Sequence, residues 1–162
     1  MRVMDGLTRR IIGFGVAPAY IDDVSVCRMF NYATAGQRKP KDPSTDHDPL
    51  FRFHRWLANL RVLEIEQIKS VPDAPVSHPF AARLIGTIRR EYLDRMFFWN
   101  AVDLARKLHE FQSYYNGYRV HLSLDGVTPA QRAGAPSTVS AKLASYAWKQ
   151  HCRGLCLTPG AA

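Results

Sequence analysis

The chain is short of acid. Fourteen aspartates and glutamates face 22 lysines and arginines, leaving a formal net charge of +8 and a pI near 9.7. That balance argues against a cationic partner and favours a polyanion, bound through phosphate contacts with release of condensed counterions. Cysteine is scarce as well. Cys27, Cys152 and Cys156 are an odd set, which excludes a paired disulfide framework and suits a reducing compartment. His151 adjoins Cys152, but tetrahedral zinc needs a fourth ligand and none stands at a recognisable spacing, so packing is the reading for these residues. No apolar run approaches the length of a bilayer span and no basic amphipathic helix is evident, which excludes a membrane partner. Met1 to Gly15 carries Arg9 and Arg10 in its middle and lacks a long apolar stretch, so it does not read as a signal peptide. The expected location is cytoplasmic and, with nucleic acid as the first-choice partner, nucleoid-associated. Repeats and low-complexity tracts are also missing.

What remains is enough for one domain. Across 162 residues, 46% are apolar and 11% aromatic, ample for a packed core. Val3 and Met4 precede a turn at Gly6, and Ile11, Ile12, Phe14 and Val16 follow it, so the opening reads as a hairpin. A domain seldom starts on one short strand flush with its first residue, and a preceding strand is therefore expected to be missing from the chain. Asp22 or Asp23 is placed to cap a helix that turns Val26, Cys27, Phe30 and Ala33 inward, and Gly36 to end it. Gln37 to Pro43 is a basic loop. Leu50 to Leu60 has helical spacing, and Val62 to Ile68 alternates as a strand would, so an α/β layer is implied.

Ser70 to Pro79 holds three prolines and no periodicity, and Pro79 suits the first turn of the next helix. At about 100° per residue, Phe80, Ala81, Leu84, Ile85, Ile88 and Tyr92 fall on one arc of that helix, with positions 82, 86, 89 and 93 beside it. Asn100 is set to cap a further helix with Ala101, Leu104, Leu108, Phe111 and Tyr115 on its apolar stripe. Beyond Gly134 a short linker leads to two runs, Leu143 to Trp148 and Gly154 to Leu157, which suit a small hairpin. This tail is either a DNA-contacting appendage or a cover for a sheet edge. The organisation expected is residues 1–134 as a core and 135–162 as a tail.

Three stretches, Asp5 to Gly13 (DGLTRRIIG), Ser44 to Asp48 (STDHD) and Ser77 to Glu91 (SHPFAARLIGTIRRE), and a closing signature of Tyr115, Asn116, Arg119, His121, Ser123, Leu124, Gly126, Thr128 and Pro129, occur in order. Together they resemble the integrase core of insertion-sequence transposases, of the Asp-Asp-Glu type in the retroviral-integrase superfamily. The resemblance implies an α/β, ribonuclease-H-like mixed sheet flanked by helices, here with its first strand missing. It implies DNA strand transfer in transposition, with transposon ends and target DNA as partners, and a homo-oligomer or an intact transposase as a further partner.

The family's chemistry uses three carboxylates to hold two Mg²⁺ or Mn²⁺ ions for in-line attack on a phosphodiester. Hard oxygen ligands suit Mg²⁺, and paired cations activate the attacking oxygen while neutralising the leaving one. The resemblance assigns the second aspartate to Asp46, as catalytic residue and metal ligand. The family glutamate follows after thirty-five residues, which lands on Ala82, and alanine cannot bind a metal. The first family aspartate falls before Met1 in this register. Asp5 sits in the hairpin that follows that strand, where a carboxylate is ordinarily turn chemistry. Asp48 reads as a helix cap, and Glu91 is rotated away from position 82; these three are the acids that could replace a missing ligand. Arg89, two turns beyond Ala82 on the same face, and the flanking Arg83 and Arg90 are the expected DNA contacts.

The resulting expectation is a transposase core of a polynucleotidyl-transferase family whose own ability to cut DNA is in question, a pseudoenzyme without productive metal binding. Two other readings stand beside it. One is a noncatalytic regulator that binds transposon DNA or an intact transposase, and the other is a decayed gene remnant whose open sheet edge would favour aggregation.

Overall fold

The computed structural model describes residues 1–18, 20–37, 40, 43–45, 48–69, 79–137, 142 and 144–162. Strands β1 (Arg2–Met4) and β2 (Ile11–Phe14) pair antiparallel, with a register shift between Val3 and Met4. The expected opening hairpin is thus present. Helix α1 (Asp23–Thr34) starts where Asp22 accepts a hydrogen bond from the Ser25 amide at 2.7 Å, satisfying one of the amides that a helix start leaves open. It buries Val26, Met29, Phe30 and Ala33, and Gly36 beyond it has φ +70°. Met29 replaces Cys27 as the fourth inward residue; Cys27 is only half-buried.

The close seating of α1 explains two glycines in the opening motif. A Cβ at Gly13 would lie 2.0 Å from the Ala33 carbonyl oxygen, and one at Gly15 would lie 2.4 Å from the Met29 Cβ. Only a residue without a side chain lets helix backbone lie this near strand backbone.

The middle of the chain departs from its alternating pattern. A 3₁₀ turn over Pro49–Arg52 precedes α2 (His54–Val62). The stretch read as a strand from Val62 to Ile68 contributes only β4 (Ile68–Lys69), parallel to β3 (Ser44–Thr45). Val62 is the last residue of α2, and Glu64 takes a left-handed conformation at φ 58°. The Ile65 amide then returns to the Leu60 carbonyl at 2.9 Å. Helix termination therefore uses the residues whose alternation mimics a strand, and Ile65 is buried against α1 and α2 instead.

Helix α3 spans Pro79–Glu91 and α4 spans Ala101–Gly117, the latter capped by Asn100 accepting from the Asp103 amide at 2.8 Å. Leu84, Ile88 and Tyr92 are buried as their spacing requires, but Ile85 is 42% exposed and Thr87 is buried in its stead. The inward arc of α3 is therefore turned by part of a turn from the expected one. A short helix α5 (Pro129–Arg132) follows, and β5 (Tyr146–His151) pairs with β6 (Cys156–Ala161) in an antiparallel tail hairpin.

Two apolar clusters lie on opposite faces of the β1–β2 hairpin, because alternate strand residues point to opposite sides. Val3 packs with Val26, Phe30, Trp56 and Leu60, where the Phe30 and Trp56 rings meet edge to face at 5.1 Å. Met4 packs with Ile11, Leu84, Tyr92 and Phe111. Cys152 belongs to this second cluster and Cys156 packs against it, so the tail joins the core through its turn. The thiol of Cys152 is pushed up to about 12, by burial first and by Cys156 second. The molecule is a mixed α/β fold, but its described strands form three two-stranded sheets and not one continuous sheet. No helix among the described residues is long and apolar enough to cross a membrane.

Candidate nucleic-acid interface

Helix α3 presents its basic side to solvent. Leu84, Thr87, Ile88 and Tyr92 pull one arc inward, and Ala82, Arg83, Arg89 and Arg90 are left exposed on the other, with Gly86 half-buried among them. Ala82 and Arg89 are separated by two turns and share one edge of that arc, with Arg83 and Arg90 along the other. The sequence-assigned arginines are thus together on one open surface. Asp46 lies outside the described residues. Thr45 immediately before it ends β3, and its hydroxyl accepts a hydrogen bond from Gln67 Nε2.

The three substitute acids are each engaged elsewhere. Asp5 accepts from the Leu7 amide at 2.9 Å and from the Thr8 hydroxyl at 2.6 Å, which ties the hairpin turn. Burial pushes its carboxyl up, but the Thr8 hydroxyl, the Leu7 and Thr8 amides and Arg10 outweigh that and hold it below the usual range. Asp48 accepts from the Leu50 amide at 2.9 Å and caps the 3₁₀ turn. Glu91 takes a two-point ion pair from Arg119, Nη2 to Oε1 at 2.7 Å and Nε to Oε2 at 3.0 Å. Such a fork satisfies both carboxylate oxygens.

The closing signature, followed residue by residue, holds α4 and what comes after it in place. Asn116 pairs with the backbone of Ile11 in both directions, accepting from its amide at 2.9 Å and donating to its carbonyl at 2.8 Å, as a neighbouring strand would. Gln112 donates to the Ile11 and Ile12 carbonyls at 3.1 and 2.8 Å. One side of β2 is thereby paired by amide side chains of a helix, which answers the edge-strand problem. Arg119 also lies over the Tyr115 ring at 5.7 Å, and His121 meets that ring edge-on at 4.7 Å. The His121 amide donates to the Val127 carbonyl and the Gly126 amide to the His121 carbonyl, across a turn in which Asp125 and Gly126 have φ 58° and 75°. Thr128 and Gln131 form a reciprocal capping box, with Pro129 at the first position of α5. The chemistry of this signature is architectural.

Residues 63–129 match the Integrase core domain. The matched stretch runs from the end of α2 through β4, α3 and α4 to the start of α5, and so contains both the α3 face and the closing signature. No curated protein matches the chain at a significant level. A chain in the cryo-EM structure of the simian T-cell lymphotropic virus intasome in complex with PP2A regulatory subunit B56 gamma superposes with a TM-score of 0.56 at 18% identity. The alignment covers 86% of this chain and 54% of that one, so the present chain spans about half the length of the protein it matches. That likeness shows the fold.

Proteins of the matched family use divalent metal; Asp46, the ligand assigned from the sequence, lies outside the described residues, and the other candidate positions are engaged or apolar. Position 82 offers a methyl group, both oxygens of Glu91 are held by Arg119, and Asp5 and Asp48 serve a turn and a cap. Among the described residues no three His, Cys, Asp or Glu side chains are grouped to hold an ion.

Sequence reading missed the residues that organise the site from a distance. The Glu91–Arg119 pair, separated by 28 positions, has no local signal, although Arg119 stood in the signature. Arg9 was read only as part of the hairpin motif, yet with Arg83 and Arg119 it lines a pocket between the hairpin, α3 and the segment after α4. His121 beside them is drawn down to about 4, by burial first and by Arg119 second.

Proposed function

We propose that this chain is the larger part of a transposase-type integrase core that binds DNA through the exposed face of α3 and is defective in DNA cleavage. The observation that carries the reading is the placement of Ala82 and Arg89 side by side on an exposed arc with Arg83 and Arg90, inside the stretch that matches the Integrase core domain. Arg89, Arg90 and Arg83 supply sequence-independent phosphate contacts from this arc. Alanine at the position read as the family glutamate supports the loss of cleavage, with Asp46 as the one assigned metal ligand retained. The finer fold reading belongs to the same proposal: β1–β2 and β3–β4 are two pieces of a ribonuclease-H-like sheet, residues 1–134 are the core, and the tail hairpin is an addition docked on α4.

A role as a noncatalytic partner of an intact transposase or of a second copy is supported by a separate feature. Phe97 and Trp99 are 91% and 89% exposed. They are held there by Lys107 Nζ donating to the Phe97 carbonyl and by the Trp99 amide donating to Asp103 at 3.2 Å. Such fixed apolar surface suits a protein contact.

The test is DNA binding and nicking by the purified chain. Retention of a duplex that weakens steeply with salt, together with no nicking of plasmid in Mg²⁺ or Mn²⁺, is the expected result. Nicking that is lost on Asp46→Asn would overturn the defect, and binding indifferent to salt would overturn the DNA role.

A further inference from the structure

The tail hairpin has two unlike faces. Residues directly opposite each other on β5 and β6 share a side, and successive pairs point to opposite sides. Lys149 and His151, with Thr158 and Cys156 across from them, form the side turned toward the end of α4. The His151 ring lies 4.0 Å from the Tyr118 ring and 5.5 Å from that of Tyr114, and its Nε2 meets the Thr158 hydroxyl at 2.8 Å. Lys149 Nζ donates to the Tyr118 hydroxyl at 2.6 Å and lies over the same ring. This side docks the hairpin and fixes its orientation.

The other side is open. Tyr146, Trp148 and Gln150, with Ala161, Pro159 and Leu157 across from them, are all exposed, Trp148 at 58%. None of the six carries a charged side chain. The Tyr146 and Trp148 rings meet edge to face, 5.4 Å apart. Rings that already pack on one another lose little further freedom when a ligand lands on them.

The surroundings are cationic. Asp125 is the last acid of the sequence, and residues 126–162 hold Arg132, Lys142, Lys149 and Arg153. Arg153 at the hairpin turn is matched by Glu110 of α4 and adds nothing. Lys149 has a neutral phenol as its partner, and neither it nor the exposed Lys142 at the base of the hairpin makes an ion pair among the described residues. A second copy docked face to face would bring the same lysines to the seam, where like charges oppose closure. A polyanion with flat apolar groups answers both features. Unpaired nucleotides are such a polyanion, because bases stack on aromatic rings whatever their sequence and phosphates take the lysines. In a duplex the base faces are covered by neighbouring pairs, so a duplex cannot use these rings.

We propose that the open side of the tail hairpin binds single-stranded DNA, with Trp148 and Tyr146 stacking on unpaired bases and Lys149 and Lys142 meeting the phosphates at its margin. The α3 arc and the hairpin then take different partners, duplex backbone on the helix and a strand that has left its duplex on the tail. The choice of DNA among polyanions rests on the DNA-binding reading above.

The test uses the full chain, an oligothymidylate of about 12 nucleotides and a blunt duplex of the same length. Binding is followed by anisotropy of a label on the DNA and by tryptophan fluorescence, and circular dichroism verifies folding of each variant. Trp148→Ala is expected to weaken oligothymidylate binding about tenfold, the scale of one lost stack, and to leave duplex binding as in the wild type. Trp148→Phe keeps a stacking ring and should bind within about threefold of the wild type, but lose most of the quenching that oligothymidylate causes. Arg89→Gln on α3 should lower the salt slope for the duplex and leave that quenching intact at saturation. Unchanged oligothymidylate affinity in Trp148→Ala, or equal losses for single strand and duplex, would overturn the stacking face. So would a wild-type dimer in sedimentation that Trp148→Ala splits while single-strand affinity stays, since the face would then join two copies. Duplex binding without salt dependence, beside an intact Trp148 effect on the single strand, would remove the α3 reading and leave the hairpin face standing.

Discussion

Glu91 at the end of α3 and Arg119 just beyond α4 are joined by a two-point ion pair, 2.7 and 3.0 Å across. This contact decides what the acid at the close of the α3 motif does. The Arg119 guanidinium is held above its ordinary range by Glu91 first of all, and the fork fastens the chain after α4 against the helix that carries the basic arc. With Arg119 at both of its oxygens, the acid already has its charge matched by a cation.

Removing either partner should therefore cost stability and not metal affinity. The two side chains are 33% and 26% exposed, so the pair is screened in part, and Glu91→Gln is expected to cost about 1–2 kcal/mol. A double-mutant cycle with Arg119→Gln, read by urea unfolding, should return a coupling of about 1 kcal/mol. Equal melting temperatures with and without Mn²⁺ in the wild type and in Glu91→Gln would agree; stabilisation by Mn²⁺ lost in the variant would restore Glu91 as a ligand.

Asn116 offers a sharper probe of architecture. Ile11 is fully buried, and its amide has the Asn116 side chain as acceptor. Asn116→Leu leaves that donor unpaired, at an expected cost of about 2 kcal/mol. Gln112→Ala should cost less, because the Ile11 carbonyl retains the bond from Asn116 Nδ2 at 2.8 Å. Chemical denaturation of the two variants tests the order, and equal losses would show that Asn116 is not acting as a strand surrogate.

His121 gives stability an acid limit. Its folded-state value of about 4 lies below the ordinary 6.5, through burial and then Arg119. The unfolded chain therefore binds this proton first as pH falls, so the contribution of His121 is complete above about 6.5 and is lost between there and about 4. Melting temperature should fall through that window in the wild type, and His121→Asn should flatten the fall. An unchanged profile in the variant would place the acid sensitivity elsewhere.

Local signals made much of this molecule legible. Asp22 and Asn100 mark helix starts because a capping side chain acts within three residues, and Leu84, Ile88 and Tyr92 announce a buried arc by their spacing. Where two patterns share residues, the reading fails: Val62 to Ile68 alternates, yet Glu64 ends a helix there in a left-handed turn. The closing signature was visible as a motif, but its work is done over long separations. Asn116 meets Ile11 across 105 positions and Arg119 meets Glu91 across 28, and no periodicity encodes such a meeting. The basic arc was legible because a helix turns spacing into adjacency; the pocket it adjoins was not, because Arg9, Arg83 and Arg119 come from three elements.

Ala82→Glu tests the central assignment directly. Ala82 is exposed on α3, so a glutamate there meets no packing and should alter stability by no more than about 0.5 kcal/mol. It adds a negative charge to an arc that holds Arg83, Arg89 and Arg90, and in the absence of metal it should weaken duplex binding and reduce its salt dependence. Cleavage should not return with this change alone, since Asp46 and the new glutamate are two carboxylates where paired ions need more. Supplying a strand that ends in aspartate ahead of β1, together with Ala82→Glu, is expected to give Mn²⁺-dependent nicking that Asp46→Asn abolishes. Nicking by Ala82→Glu alone would mean that one of Asp5, Asp48 or Glu91 leaves its present partners to complete the set; no nicking in the combined protein, if it folds and binds DNA, would mean that position 82 is not the seat of the lost glutamate.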